Sequence, residues 1–169
     1  MKSNELLLDS FGRIREIVAT TLEGADDESL VRRPAGTGNS IAWLIWHLSR
    51  IEDSQVASAA GLKQVWASQK FSGRFDLPLP ERDTGYGHST DQVDSVQAPP
   101  ELLIEYYEAV HRQTVEFVKT LGDEDLDRIV DRRWDPPVTL GVRLVGTIAD
   151  CLQHVGQAAY AKGLHPSHG

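Results

Sequence analysis

Three side chains in this sequence could converge on a metal ion. Asp150 and His154 stand four residues apart in "IADCLQHVGQ", within a stretch of helical periodicity. At the α-helical rotation per residue, that spacing puts the two side chains about 40° apart on one face. The third, His47, stands in "SIAWLIWHLSR" among Trp43, Leu44, Ile45, Trp46 and Leu48. An imidazole there flanks an apolar stripe and points partly inward. Two imidazoles and one carboxylate from two facing helices make three protein ligands with further positions open. That donor set suits Zn²⁺ first, with Ni²⁺ or Fe²⁺ as alternatives. The same trio could also satisfy itself by hydrogen bonding alone. An Asp–His pair at i, i+4 often does no more than support its helix, by about 0.2–0.5 kcal/mol. Spacing leaves both readings open.

Other chemistry-bearing residues carry weaker signals. His88 lies in "GYGHST", where Gly85 and Gly87 let the backbone turn sharply over the mouth of a bundle. It is a candidate supporting group behind the metal ligands or a contact to a bound cofactor or substrate, but loop residues are exposed by default, and an exposed histidine is the expectation. Cys151 neighbours Asp150 but is turned about 100° from it, which reads as a small core residue. Arg32, Arg33, Arg132 and Arg133 are candidates for an anionic substrate or thiol, although each singly reads as solvated surface. Trp46 and Arg50 fall on the helix face away from the stripe centre, where a dimer contact is expected. His111 receives no role, and His165 and His168 are read as exposed tail residues. No side chain is assigned as a catalytic group.

These residues need elements to position them, and four segments carry helical periodicity. In the first, Leu7, Phe11, Ile14, Val18 and Leu22 recur at spacings of 4, 3, 4 and 4, with Gly24 closing it. The second starts at an Asn39 or Ser40 cap and runs through Ile41, Leu44, Ile45, Leu48, Ile51 and Val56 to about Gly61. The third follows Pro99-Pro100, with the stripe Leu103, Tyr107, Val110, Thr114, Phe117 and Leu121, and ends at Gly122. The fourth runs from about Leu140 to Lys162, with Leu144, Ile148, Leu152, Val155 and Ala159 on one face and Gly163 and Pro166 after it.

Between the second and third lies an irregular segment, roughly 64–98. A loop of that length in a compact domain is functional or disordered; Phe71, Phe75, Leu77 and Tyr86 argue that it packs. A second irregular stretch covers 131–139, and "RIVDRRW" could form a short extended piece. The fold class expected is all-α, a four-helix bundle with a long loop between its second and third helices, as a single domain over residues 1–169.

Composition narrows the function. The net charge is −8, from 25 acidic and 17 basic residues, and the only basic clusters are two Arg pairs. Nucleic acid and anionic membrane surfaces are therefore not expected as partners. No run approaches the length of a membrane span, and the N-terminus has no signal-type apolar core. The single cysteine rules out a disulfide within the chain and fits a reducing compartment. A cytoplasmic protein is expected. A chain of this size builds a core without a structural metal, so a bound metal is expected to serve function.

"SIAWLIWHLSRIED" resembles the second helix of the DinB-like superfamily. "DTGYGHS" and "IADCLQHVGQAAYAKGL" resemble a branch related to mycothiol-dependent maleylpyruvate isomerases and other thiol S-transferases, and the likeness covers nearly the whole chain. The superfamily is named for DNA-damage induction and implies no polymerase activity. The resemblance implies a four-helix bundle holding one divalent metal through three residues. His47 matches the histidine of the "WHL" motif and His154 that of the last helix. Asp150 takes the position four residues earlier, where many members have His and the isomerase has Glu. The implied activity is metal-dependent transfer, or isomerisation, by a low-molecular-weight thiol such as mycothiol, held as thiolate and attacking an electrophilic substrate. Metal-assisted hydrolysis and metal binding without turnover are the competing expectations. The likeness and the helix-two tryptophans together suggest a homodimer.

Overall fold

The computed structural model describes residues 1–164. Four long helices form the body: α1 (Ser3–Leu22), α3 (Ile41–Ala60), α7 (Pro100–Lys119) and α8 (Leu140–Leu164). Short helices α2 (Asp27–Val31), α4 (Val65–Ser68), α5 (Phe71–Phe75) and α6 (Thr90–Ser95) lie in the connections. Both α1 and α3 pack against α7 and against α8, which puts α1 and α3 on one diagonal of a four-helix bundle. The expected all-α architecture is the observed one. The extended piece is also present: β1 (Ile129–Asp131) pairs antiparallel with β2 (Val138–Thr139), immediately before α8.

The helix starts follow local chemistry. The Ser40 hydroxyl accepts a hydrogen bond from the Trp43 N–H, capping α3. Gly61 takes a left-handed conformation at its other end, φ 69°. The α1 stripe is buried as expected, from Leu7 to Leu22.

Helix α3 is enclosed almost all round: 15 of its 20 residues are buried. An all-round buried helix is a central helix rather than a surface one. This corrects the reading of Trp46 and Arg50 as an outward, dimer-forming face. They are 1% and 0% exposed, because the segment between α3 and α7 wraps over that side. The homodimer expected from exposed tryptophans on this helix loses that support.

The wrap is held by a buried polar cluster. Arg50 donates to the Asp83 carbonyl at 3.1 Å, to Gln64 Oε1 at 3.0 Å and to the Tyr106 hydroxyl at 3.3 Å. Its guanidinium also lies over the Trp66 ring. Asp53, one turn along, accepts from the N–H groups of Val65 and Trp66 at 2.8 Å each and from Tyr106 at 2.9 Å. Phe71 and Phe75 are buried beneath the wrap, whereas Tyr86, expected to pack, stands 92% exposed.

On α8 the buried stripe is Leu144, Thr147, Ile148, Cys151, Val155 and Ala158. Leu152 and Ala159, expected on that face, are exposed, because contact with α1 and α3 is centred one position away. The helix also continues through Gly163. His165, Pro166 and His168 lie outside the described residues. No helix among the described residues is long and apolar enough to cross a membrane.

Candidate metal centre

His47 comes from the middle of α3, and Asp150 and His154 from facing turns of α8. The packing of α3 against α8 brings all three together, with one ligand-type atom of each within 4.8 Å of the others. The His47 and His154 rings meet edge to face, centroids 4.6 Å apart. His154 Nε2 and Asp150 Oδ1 are 3.7 Å apart. Tetrahedral coordination at bond lengths near 2.1 Å sets ligand atoms about 3.4 Å apart, so this pair already stands near coordinating separation. Asp150 reaches the site although Asp is shorter than Glu.

The hydrogen bonds fix which ring nitrogens are free. His47 Nδ1 is bonded to the Thr84 carbonyl oxygen. A carbonyl only accepts, so Nδ1 carries the hydrogen and Nε2 keeps its lone pair. His154 Nδ1 pairs with Gln157 Oε1 at 3.1 Å, one turn further along α8, with the same consequence. Outer partners of this kind orient metal-ligating histidines. Asp150 Oδ2 is buried with no hydrogen-bond partner, an expense a bound cation would remove. The residues present therefore fit a divalent metal. Burial pushes the His47 imidazole below its usual pKa, and the Thr84 bond offsets part of this. The neutral, ligating form is the favoured one.

The segment 83–88 forms a cover over His47. Gly85 has φ 93°, and a Cβ built on it would stand 2.7 Å from His47 Nδ1 and 3.1 Å from Trp43 and Trp46. Only glycine fits such an approach. Asp83 organises the turn by accepting from the Gly85 N–H at 2.9 Å and pairing with His88 Nε2 at 3.0 Å. Burial would raise its pKa, but these bonds outweigh it and hold the carboxyl below its ordinary value.

His88 is not the exposed loop residue expected. Its side chain is 3% exposed, stacked beside Trp46 and accepting the Trp43 indole N–H on Nδ1 at 3.0 Å. Trp43 in turn stacks on His47, centroids 4.6 Å apart at 13°. His88 is thus linked to His47 through Trp43. Its sequence setting, directly after Gly85 and Gly87, pointed at the cover but not at burial.

Other candidates do not converge here. The Arg33 guanidinium is tied to the Gly38, Thr37 and Thr90 carbonyls and to Asp94, a structural role. Cys151 is buried and contacts the Leu48 carbonyl at 3.6 Å, the core residue it was expected to be. Beside Asp150 opens a cleft of about 360 Å³ walled by Ile51, Tyr86, Trp134, Val138 and Val142. Trp134 and Val142 were not singled out as cleft residues by sequence; they meet only because β2 leads directly into α8.

Fold and site together are those of a four-helix bundle in which two histidines and one carboxylate, a set that could hold a metal, meet between the second and last long helices. Residues 10–158 match the DinB superfamily, and the chain belongs to that family. A crystal structure of a conserved protein from Enterococcus faecalis superposes with a TM-score of 0.89, at 32% identity over 97% of each chain. Comparison with curated proteins gave no match.

Proposed function

We propose that this protein is a metal-dependent thiol S-transferase, or an isomerase working by thiol addition and elimination. His47, Asp150 and His154 hold the cation, zinc first and nickel or iron as alternatives. The external thiol is mycothiol or a related small thiol. A divalent cation at this site would supply a thiolate at neutral pH by deprotonating the thiol that coordinates it.

The carrying observation is the make-up of the cleft beside Asp150. Its walls are mostly apolar, and Asp150 is the one carboxylate or imidazole among the described residues lining it. Asp150 belongs to the ligand set, so no separate general base faces the cleft. A cation here would lower the pKa of bound water and of bound thiol alike, so the preference for a thiol rests on the apolar walls, which suit an organic electrophile. The chain's own thiol does not fill the role: Cys151 is enclosed, and burial pushes its pKa well up. The nucleophile therefore comes from solution.

The protein's own groups orient and exclude. Thr84 and Gln157 fix the two imidazoles, and Gly85 closes the cover against His47. Ile51, Val138 and Val142 give the cleft apolar walls for an organic electrophile.

The test is a panel of electrophiles, a chlorinated aromatic and a bimane among them, run on metal-loaded protein with and without mycothiol or another physiological thiol. A thiol-dependent rate that falls in His154→Ala is expected. Ester or amide turnover without thiol, or no thiol-dependent rate with any physiological thiol, would overturn the proposal.

A further inference from the structure

A second, polar cavity of about 240 Å³ adjoins the cleft. Gln55 and Arg143 line both. The polar cavity adds Ser54, Ser58, Asp131 and Arg133. Two guanidinium groups there share one carboxylate: Arg133 Nη2 and Arg143 Nη2 lie 2.8 and 3.0 Å from Asp131 Oδ2. Arg133 holds the Asp131 carboxyl well below the usual carboxylate range, so Asp131 is ionised and the trio carries one net positive charge. That is a local excess of cation in a chain of net charge −8.

The guanidinium groups are oriented but not saturated. Each carries five N–H donors. Arg143 uses one on Asp131 and one on Gln55. Arg133 commits its side-chain Nε and Nη2 to Asp131, leaving Nη1. Asp131 thus fixes both planes while donors remain for a second anion. Planar guanidinium forks match carboxylates in particular. Arg143 and Asp150 are seven residues apart on α8, two turns, so they stand on one face about 10 Å apart along the axis.

We propose that Arg133 and Arg143 form a carboxylate-binding subsite for a small acidic ligand whose body lies in the apolar cleft and whose far end reaches the His47–Asp150–His154 centre. This rests on the reading of the cleft as the binding site of the preceding subsection, and it assigns that site an anionic ligand. The carboxylate belongs either to the thiol or to the electrophile.

Calorimetric titration of metal-free protein with octanoate and with octanol tests the subsite without metal or thiol. Octanoate should bind the tighter, and its affinity should fall about ten-fold or more in Arg143→Lys, which keeps the charge but loses the fork, and several-fold in Arg133→Met. Arg133 is 85% exposed in its side chain and Asp131 keeps Arg143 as a partner, so the latter variant should retain the parent's helical circular dichroism. Octanoate binding no better than octanol, or binding unchanged in both variants, would overturn the subsite whatever the metal centre does. With zinc-loaded protein, 8-mercaptooctanoate spans the two ends. Tighter binding than octanoate shows that the subsite and the metal centre lie within reach of one ligand, and equal binding would overturn that placement. Failure of the transferase reading would appear separately, as absent thiol-dependent turnover.

Discussion

His47 on α3 donates from Nδ1 to the backbone carbonyl of Thr84, 37 residues further along the chain. The bond joins a central helix to the segment that covers it and leaves Nε2 free. The position of the cover is therefore coupled to the orientation of the His47 ring.

Gly85→Ala tests that coupling. The new Cβ would stand 2.7 Å from His47 Nδ1, at φ 93°, so the cover must lift. Loss of an outer-shell partner costs roughly 10–100-fold in metal affinity. Competitive chelator titration should show a loss of that order, with helical circular dichroism retained. Unchanged affinity would mean that the Thr84 bond does not orient the ligand.

Arg50→Met tests what holds the cover in place. Arg50 Nη1 stands 3.6 Å from Asp53 Oδ2, both buried, and removing one partner of a buried ion pair costs about 3–5 kcal/mol. Asp53 keeps donors from Val65, Trp66 and Tyr106, so the low end is expected. Limited proteolysis should cut faster within 61–99 than in the parent protein. Equal cleavage rates would show that the aromatic packing of Phe71 and Phe75 suffices.

The clustering of His47, Asp150 and His154 was legible because both of its signals are local: a polar residue inside an apolar run, and a pair at helical spacing. The four long helices were legible for the same reason. His88 was misread because loop residues are exposed by default, and Trp46 and Arg50 because a helical wheel shows which side faces away from one stripe. It does not show whether a loop returns to cover that side. Arg50 is buried through partners 14 to 56 residues away, and no local pattern encodes that closure. The displaced stripe on α8 has the same origin, since it is α1 and α3 that decide whether Cys151 or Leu152 faces inward.

Glu52 predicts the pH response. It is fully enclosed, with neither carboxylate oxygen at hydrogen-bonding geometry to a partner. Burial pushes its pKa from 4.5 up to about 7, and the nearby Thr114 and Tyr107 hydroxyls offset only part of this. A folded-state pKa raised above the unfolded one favours the fold fully below the unfolded value, and that advantage is lost as pH rises through the folded value. The window is therefore about 4.5 to 7, and the loss is roughly 3 kcal/mol. Denaturant unfolding across this range should show the parent protein losing stability relative to Glu52→Gln as pH rises. Parallel curves would contradict it.

The central claim is that His47, Asp150 and His154 hold one divalent cation. Elemental analysis of protein purified without a histidine tag tests it most directly, alongside His47→Ala, Asp150→Ala and His154→Ala. The account predicts about one divalent ion per chain in the parent protein and most of it lost in each variant, with the helical signal retained. A parent protein that takes up no divalent cation, or variants that keep the full complement, would contradict it.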